Sequence, residues 1–304
     1  MKLSIVIVSW NTKTLLAGCL DSVFANPPGC DFDVWVVDNA STDDSVQMVR
    51  QQFPQVELIV NQENIGFAPA NNQAIERCNG RYVLLLNPDT EVLPGGLAEL
   101  VEFMDSHPDT GAVGSRLLNP DHSLQPSCYP MLTLGRELWR LFHLDILLPY
   151  AQYRMYSWDV EQPQRVEVIQ GASFLVRREA LEQIGLLDEA YFMYTEEVDL
   201  CYRLQKAGWQ LFWIPRSKVI HFGGQSTQQV ATNMFLQLYK SKIQFFRKHY
   251  GRFAAGAYKF ILMAASLARL SLSPLAWLRR GPARARRLTL AHNYRLLLGA
   301  LPAM

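Results

Sequence analysis

An α/β fold with a doubly wound parallel sheet is the class this chain predicts, and three observations predict it. Four short runs, "LSIVIVSW", "DVWVVDNAS", "VELIVN" and "YVLLLNPDT", are largely apolar and rich in Ile, Val and Leu. They read as strands buried on both faces rather than strands with one wet face. Each is followed by a segment with apolar residues at helical spacing, and strand and helix alternate with a period of roughly 25 residues, as right-handed βαβ units do. The composition agrees: 304 residues, 49% hydrophobic and 19% charged, are enough to bury the core such a sheet needs.

Taken in order, "KTLLAGCLDSVFA" is the first helix and "TDDSVQMVRQQF" the second, with Thr42 or Asp43 as its cap. "GFAPANNQAIERC" is a third helix after a glycine, and "GGLAELVEFMDSH" a fourth. Residues 111–165 are less regular, holding Pro120, Pro126, Pro130, Pro149 and Pro163, with "LWRLFHLDILL" as one helix. "VEVIQGASFLVRREAL" then reads as a strand running into a helix. Thr195 is a natural N-cap for a helix reaching about Ala207, with Gly208 as its stop. "GWQLFWIP" and "KVIHFGG" supply two more short strands.

The net charge of +1 hides an asymmetry, because from Gly251 onward there are nine basic residues and no acid. The sequence therefore divides into an acidic body, 1–250, and a basic helical tail, 251–304, and the tail calls for an anionic partner. Five cysteines at scattered positions, none as CxxC, argue against structural zinc and for reduced thiols in a cytosol. "MKLSIVIVSW" opens a strand and lacks the long apolar run and cleavage site of a signal peptide.

In open α/β sheets, ligands gather at the carboxyl ends of strands. That rule selects Ser9, Trp10 and Asn11, then Asp38 to Ser41, then Asn61 to Gly66 with Asn64 among them, and Asn87 to Asp89. Taken singly, Asp38 and Asp89 also fit plain caps or turn formers. Together at neighbouring strand ends, one suits reading a base or ribose and the other holding a cation. No GxGxxG follows the first strand and no GxxxxGK[ST] occurs, so dinucleotide dehydrogenases and P-loop phosphotransferases lack their phosphate cradle. A bound diphosphate must then rely on a hard divalent metal with oxygen ligands.

"YFMYTEEVDLCYRL" places Glu196, Glu197 and Asp199 within four positions. The first turn of a helix favours ionised acids by about 0.3–1 kcal/mol each, so the pair fits simple helix stabilisation. It equally fits a general base aimed into a cleft, and the apolar "YFMY" before it favours a pocket wall over an exposed turn. His221 ends a strand before "GGQS", where it is either a packed histidine or a metal or phosphate contact.

The segments "SIVIVSWNTKTLLAGCLDSV", "VVDNASTDDS", "NIGFAPANNQAI", "LLLNPDTEV", "GASFLVRREALEQIGLLDEAYFMYTEEVDLCYRLQKAGW" and "HFGGQST" occur in this order. Over about residues 3–250 they resemble the family 2 inverting glycosyltransferases, in the branch of bacterial rhamnosyltransferases of cell-surface polysaccharide synthesis. The resemblance implies a GT-A-type fold with a mixed, mostly parallel sheet, a nucleotide-sugar donor, and Mg²⁺ or Mn²⁺. It also implies roles by position. Asp38 would contact the nucleotide base, with Ser9, Trp10, Asn11, Asn64, Gly66 and Asn87 around the donor. Asp89 stands at the metal-binding aspartate, with "NPD" in place of Asp-x-Asp, and His221 at a further metal ligand. Glu197 takes the place of the catalytic base, Glu where the family has Asp, with Glu196 as runner-up. Asp199 and Gly171 would meet the acceptor, and Asn71 stands where many members carry an arginine.

The implied activity is inverting, metal-dependent transfer of L-rhamnose from dTDP-rhamnose to a saccharide or polyprenyl-linked acceptor. The alternatives are the same chemistry with a UDP- or GDP-sugar, or a non-catalytic nucleotide-sugar-binding protein of the same fold. The tail, "FAAGAYKFILMAASLARLSL" followed by "LRRGPARARRL", is apolar but interrupted by Lys259 and Arg269. It fits a helix lying on an anionic membrane surface better than a spanning one, with packing or self-association as the alternative. The expected place is the cytoplasm, peripheral on the inner face of the cytoplasmic membrane, and no nucleic-acid partner is expected.

Overall fold

The computed structural model describes residues 2–223, 230–272 and 282–304, apart from the side chains of residues 282, 283 and 285–287. The strands are β1 (Leu3–Ser9), β2 (Phe32–Asp38), β3 (Glu57–Val60), β4 (Tyr82–Leu86), β5 (Thr90–Val92), β6 (Thr110–Leu118), β7 (Cys128–Tyr129), β8 (Gln164–Arg165), β9 (Val168–Ile169), β10 (Ser173–Arg177) and β11 (Gln210–His221). The α-helices are α1 (Lys13–Ala25), α2 (Ser45–Gln52), α3 (Phe67–Ile75), α4 (Gly96–Ser106), α5 (Leu134–Leu141), α6 (Arg178–Ile184), α7 (Glu196–Lys206), α8 (Ala231–Ser271) and α9 (Pro282–Ala300).

One mixed sheet runs in the order β3-β2-β1-β4-β10-β6-β11-β5, with β8 on β11. Its first half is parallel, β1 pairing with β2 and β4, and β2 with β3. All seven residues of β1 are buried, as a strand covered on both faces requires. An Ile5→Ala cavity in this strand costs about 2–5 kcal/mol. Then β10 inserts antiparallel between β4 and β6, and β11 runs parallel to β6. The sheet is thus the mixed, mostly parallel one that the resemblance implies.

Two further differences have local causes. Within the stretch that looked irregular, β6 is a nine-residue strand. Its Gly114 admits the Ile169 side chain where a Cβ would collide, and at Gly111 a Cβ would stand 2.6 Å from Trp209. Glycines kept for close approach weakened the strand pattern. Conversely, "GWQLFWIP" and "KVIHFGG" are not two strands: β11 is continuous, with its register shifted between Ile214 and Lys218 around Pro215, which has no N–H for the ladder.

Two compact units share the chain, residues 1–131 with 153–229, and residues 132–152 with 230–304. They are cut differently from the division expected at residue 250. In the second unit Lys242 and Tyr258 of α8 both bond Glu137 of α5, which draws residues from both sides of that position into one body. Position 251 does mark a break within α8, where Gly251 kinks the helix at φ 86°.

Candidate functional site

Strand directions gather the site at one sheet edge. Because β10 is antiparallel to both β4 and β6, and β11 is parallel to β6, the carboxyl ends of β1, β2, β4 and β11 point the same way, and β10 begins beside them. Ser9, Asp38, Asn87, Asp89 and His221 stand at or just after those ends. The "QGAS" turn enters β10 at the same edge, where the Asn87 N–H donates to the Ala172 carbonyl at 3.0 Å.

Around β1 and β2 the polar groups brace one another. The Ser9 hydroxyl meets Thr12 Oγ1 at 3.0 Å, and the Asn39 N–H donates to the Ser9 carbonyl. Asn11, at φ 52°, takes Ser41 Oγ on its N–H and accepts the Thr42 N–H on its side chain, while Trp10 before it is half-buried. Asp38 is 1% exposed: Oδ2 accepts the Ser41 N–H at 2.9 Å, and Oδ1 is buried without a partner. A buried carboxylate oxygen left bare is costly unless a ligand donor completes it, as a nucleobase N–H does.

Asn39 also donates to the Gly66 carbonyl, and Asn64 Oδ1 accepts the Gly66 N–H at 3.1 Å. Gly66 sits at φ 97°, and a Cβ there would stand 2.6 Å from the Phe192 carbonyl oxygen, so only glycine fits. The Phe67 N–H donates to that same carbonyl at 2.7 Å. Gly66 is thus where the loop before α7 lies on the start of α3. Asn71, in the arginine position, is buried, with Nδ2 on the Phe67 carbonyl and Oδ1 unpartnered.

The second corner joins Asp89 to His221. Both are nearly buried, with Nε2 3.4 Å from Asp89 Oδ1. Gln125 sets the ring. Its Nε2 donates to the His221 backbone carbonyl at 3.1 Å and to Asn119 Oδ1 at 3.0 Å, which turns its Oε1 onto His221 Nδ1 at 2.6 Å. Nδ1 must then carry the proton, and the Nε2 lone pair faces Asp89 and Asn87 Nδ2. A carboxylate oxygen beside an imidazole nitrogen, which Asn87 Nδ2 also meets at 3.5 Å, is a donor pair that a divalent cation accepts. Among the described residues no three His, Cys, Asp or Glu side chains converge. Of the "GGQS" stretch expected to meet an anion, Gly224, Gln225 and Ser226 lie outside the described residues.

The third part is the start of α7. Thr195 stands at the N-cap as predicted, but at φ 74° its hydroxyl makes no cap bond, and Tyr194 before it is also left-handed, at φ 65°. Two successive non-glycine residues held at positive φ store strain, which is maintained where function uses it. Glu196 is 5% exposed with Oε2 unpartnered, and burial together with the charge of Glu197 pushes its carboxyl well above the usual range. Glu197 is half-buried, and Gly171 lies beside it, its ideal Cβ 3.8 Å from Glu197 Cβ.

Asp199 is the exception among the predicted residues. It is fully buried, and Arg203 Nε donates to Oδ2 at 2.7 Å. The same guanidinium donates to the carbonyls of Ile184, Gly185 and Leu186, so Asp199 helps fasten α7 to the end of α6, a placement that argues against the acceptor contact expected of it. Sequence reasoning missed Gln125 and the seat of Phe192 on Gly66. Gln125 lies 96 residues from His221 in a proline-rich stretch without period, and only "NIG", a glycine after a strand end, offered any signal.

Comparison with known proteins accords with this geometry. The sequence profile of glycosyl transferase family 2 matches residues 4–185. An N-acetylglucosaminyl-diphospho-decaprenol L-rhamnosyltransferase of Mycobacterium tuberculosis is 32% identical over 212 residues, 64% of this chain and 67% of its own. Rhamnosyltransferase WbbL of Escherichia coli is 24% identical over 59% of this chain and 69% of its own. The mannosyltransferase PcManGT of Pyrobaculum calidifontis, solved with GDP-Man and Mn²⁺, shares the fold at a TM-score of 0.58 and 20% identity, over 99% of this chain and 85% of that one. The profile, the relatives and the mixed sheet with its strand-end site make this chain a member of glycosyltransferase family 2, a glycosyltransferase of GT-A-type fold.

Proposed function

We propose that the protein transfers L-rhamnose from dTDP-L-rhamnose, with inversion, to a saccharide carried on a polyprenyl diphosphate, working on the cytoplasmic face of the membrane. The names of its relatives support the sugar and the lipid carrier. The observation that supports the chemistry is the acid pair opening α7: Glu196 is buried, with its carboxyl raised above the usual range, while Glu197 is half-buried beside Gly171.

Glu197 is then the carboxylate placed to accept the acceptor hydroxyl's proton as that oxygen attacks the anomeric carbon. A single base and a single displacement invert the centre, where a retaining enzyme needs a second carboxylate as nucleophile. Gly171, with no side chain, leaves the approach to Glu197 open. On the donor side, the bare Oδ1 of Asp38 accepts the ring N–H of the base, and the Ser9–Asn39–Gly66 bonds hold that corner in place. Asp89 and His221 would hold the divalent cation, which when bound supplies the charge that stabilises the departing diphosphate.

The test offers purified protein a panel of dTDP-, UDP- and GDP-sugars with Mn²⁺ or Mg²⁺ and a polyprenyl-linked acceptor. The expected result is turnover with dTDP-rhamnose, a product whose anomeric configuration by NMR is opposite to the donor's, and loss of turnover in Asp89→Ala. Turnover only with a UDP- or GDP-sugar would replace the donor assignment and keep the mechanism. Binding of every donor without turnover would leave a sugar-nucleotide-binding protein.

A further inference from the structure

The second unit carries two apolar surfaces that its own packing leaves uncovered. In the turn after α5, Ile146, Leu147 and Leu148 are 87%, 80% and 59% exposed, three consecutive aliphatic side chains in solvent. The turn is held in shape: Asp145 Oδ1 accepts the Ala151 N–H at 2.9 Å, and Trp139 Nε1 donates to the Leu148 carbonyl at 2.7 Å. On α8 beyond the kink, Phe253, Phe260 and Leu267 are 96%, 65% and 53% exposed. Spaced by sevens, they form one stripe along the helix, about 21 Å long. The opposite face, Ala255, Tyr258, Leu262 and Ala265, is buried. The two surfaces adjoin, because Arg269 donates to the Leu141 carbonyl just ahead of the turn.

We infer that this tip and stripe form the bilayer-docking surface of the enzyme, with Ile146, Leu147 and Leu148 entering the headgroup–acyl boundary and the α8 stripe lying along it. The occupant follows from charge and from substrate. Residues 251–304 hold nine basic residues and no acid, which suits an anionic lipid surface and opposes the face-to-face approach of a second such tail. The inference rests on the polyprenyl-linked acceptor proposed above, since an enzyme whose acceptor never leaves the bilayer must meet that surface. A spanning helix is disfavoured because Lys259 and Arg269 interrupt the apolar run.

Flotation of the full chain with vesicles of phosphatidylcholine alone, or with a quarter phosphatidylglycerol, tests this without donor or acceptor. Wild type is expected to float with the anionic vesicles, less so in high salt. Both Ile146→Glu/Leu147→Glu and Phe253→Glu/Phe260→Glu should lower partitioning at least about tenfold, while the melting temperature and metal-dependent donor hydrolysis in detergent-free buffer stay at wild-type values. Unchanged flotation in both variants, or no flotation of wild type, would overturn the assignment. So would a wild-type dimer in sedimentation that both variants dissolve, which would give the face to a second copy. Because hydrolysis is read separately, loss of flotation with donor chemistry intact and flotation without donor chemistry point to different failures.

Discussion

Glu137 in the second unit and Glu196 in the first are both buried, at 0% and 5% exposure, and the protein treats them in opposite ways. Burial would raise Glu137, but Lys242 at 2.9 Å, the neighbouring Arg140 and the Tyr258 hydroxyl outweigh it and hold the carboxyl below its ordinary range. Glu196 receives no such partners: burial and the charge of Glu197 raise it, and Oε2 stays bare. Depth alone therefore does not decide the charge of a buried acid. The fold supplies cations and donors to the carboxylate that joins two helices, and not to the one that opens α7.

The largest effect that would break this contrast is on rate. Glu197→Gln should lower transfer by about 10²–10⁴-fold while donor affinity, measured by calorimetry, stays unchanged. A fall in donor affinity with turnover preserved would move the base elsewhere. Next is stability: Lys242→Met takes one of two cations from the buried Glu137, leaving Arg140 and the Tyr258 hydroxyl. In urea unfolding it should cost less than about 3–5 kcal/mol, the cost of an uncompensated charge, and adding Glu137→Leu should restore much of the loss. Third, Gln125→Leu frees the His221 ring, and Mn²⁺ affinity in the presence of a nucleoside diphosphate, read by electron paramagnetic resonance, should fall about 10–100-fold.

The smallest effect is the most diagnostic, because its sign differs between the two acids. The folded pKa of Glu137 lies below its unfolded value, so its contribution is full above the unfolded pKa and is lost as pH falls through the folded one. For Glu196 the folded pKa lies above the unfolded value. Its stabilising share is full below the unfolded pKa, about 4.3, and is lost as pH rises through the folded one. Glu196→Gln, which cannot ionise, should therefore melt above wild type at neutral pH and level with it in acid, whereas Glu137→Gln should melt below wild type at neutral pH. Thermal melts across that range decide it.

The contrast also marks how far the sequence could be read. β1, β2 and β4 were legible because strands buried on both faces leave long apolar runs, and their ends pointed to Asp38 and Asp89. The place of α7 followed from Thr195 and Gly208, which stand at its two ends. Its geometry did not, because the positive φ of Tyr194 and Thr195 is imposed by the loop seated on Gly66 rather than by local propensity. Arg203 stands four residues after Asp199 in the same helix, but its reach to the carbonyls of Ile184, Gly185 and Leu186, which makes Asp199 the anchored acid, is set by tertiary packing. Gln125 was invisible for the same reason, since a tautomer depends on a partner brought from a distant, aperiodic segment.

Under the roles proposed above, the seat of Phe192 on Gly66 means that donor preference and reaction rate are not independent design variables in this protein. Any side chain added at residue 66 to reshape the nucleotide corner displaces the loop that leads into Glu196 and Glu197. Attempts to retool the enzyme for another sugar nucleotide there would be read as slow turnover long before they were read as altered selectivity. Asp38 and its neighbours, braced through Asn39 instead, are the place to begin.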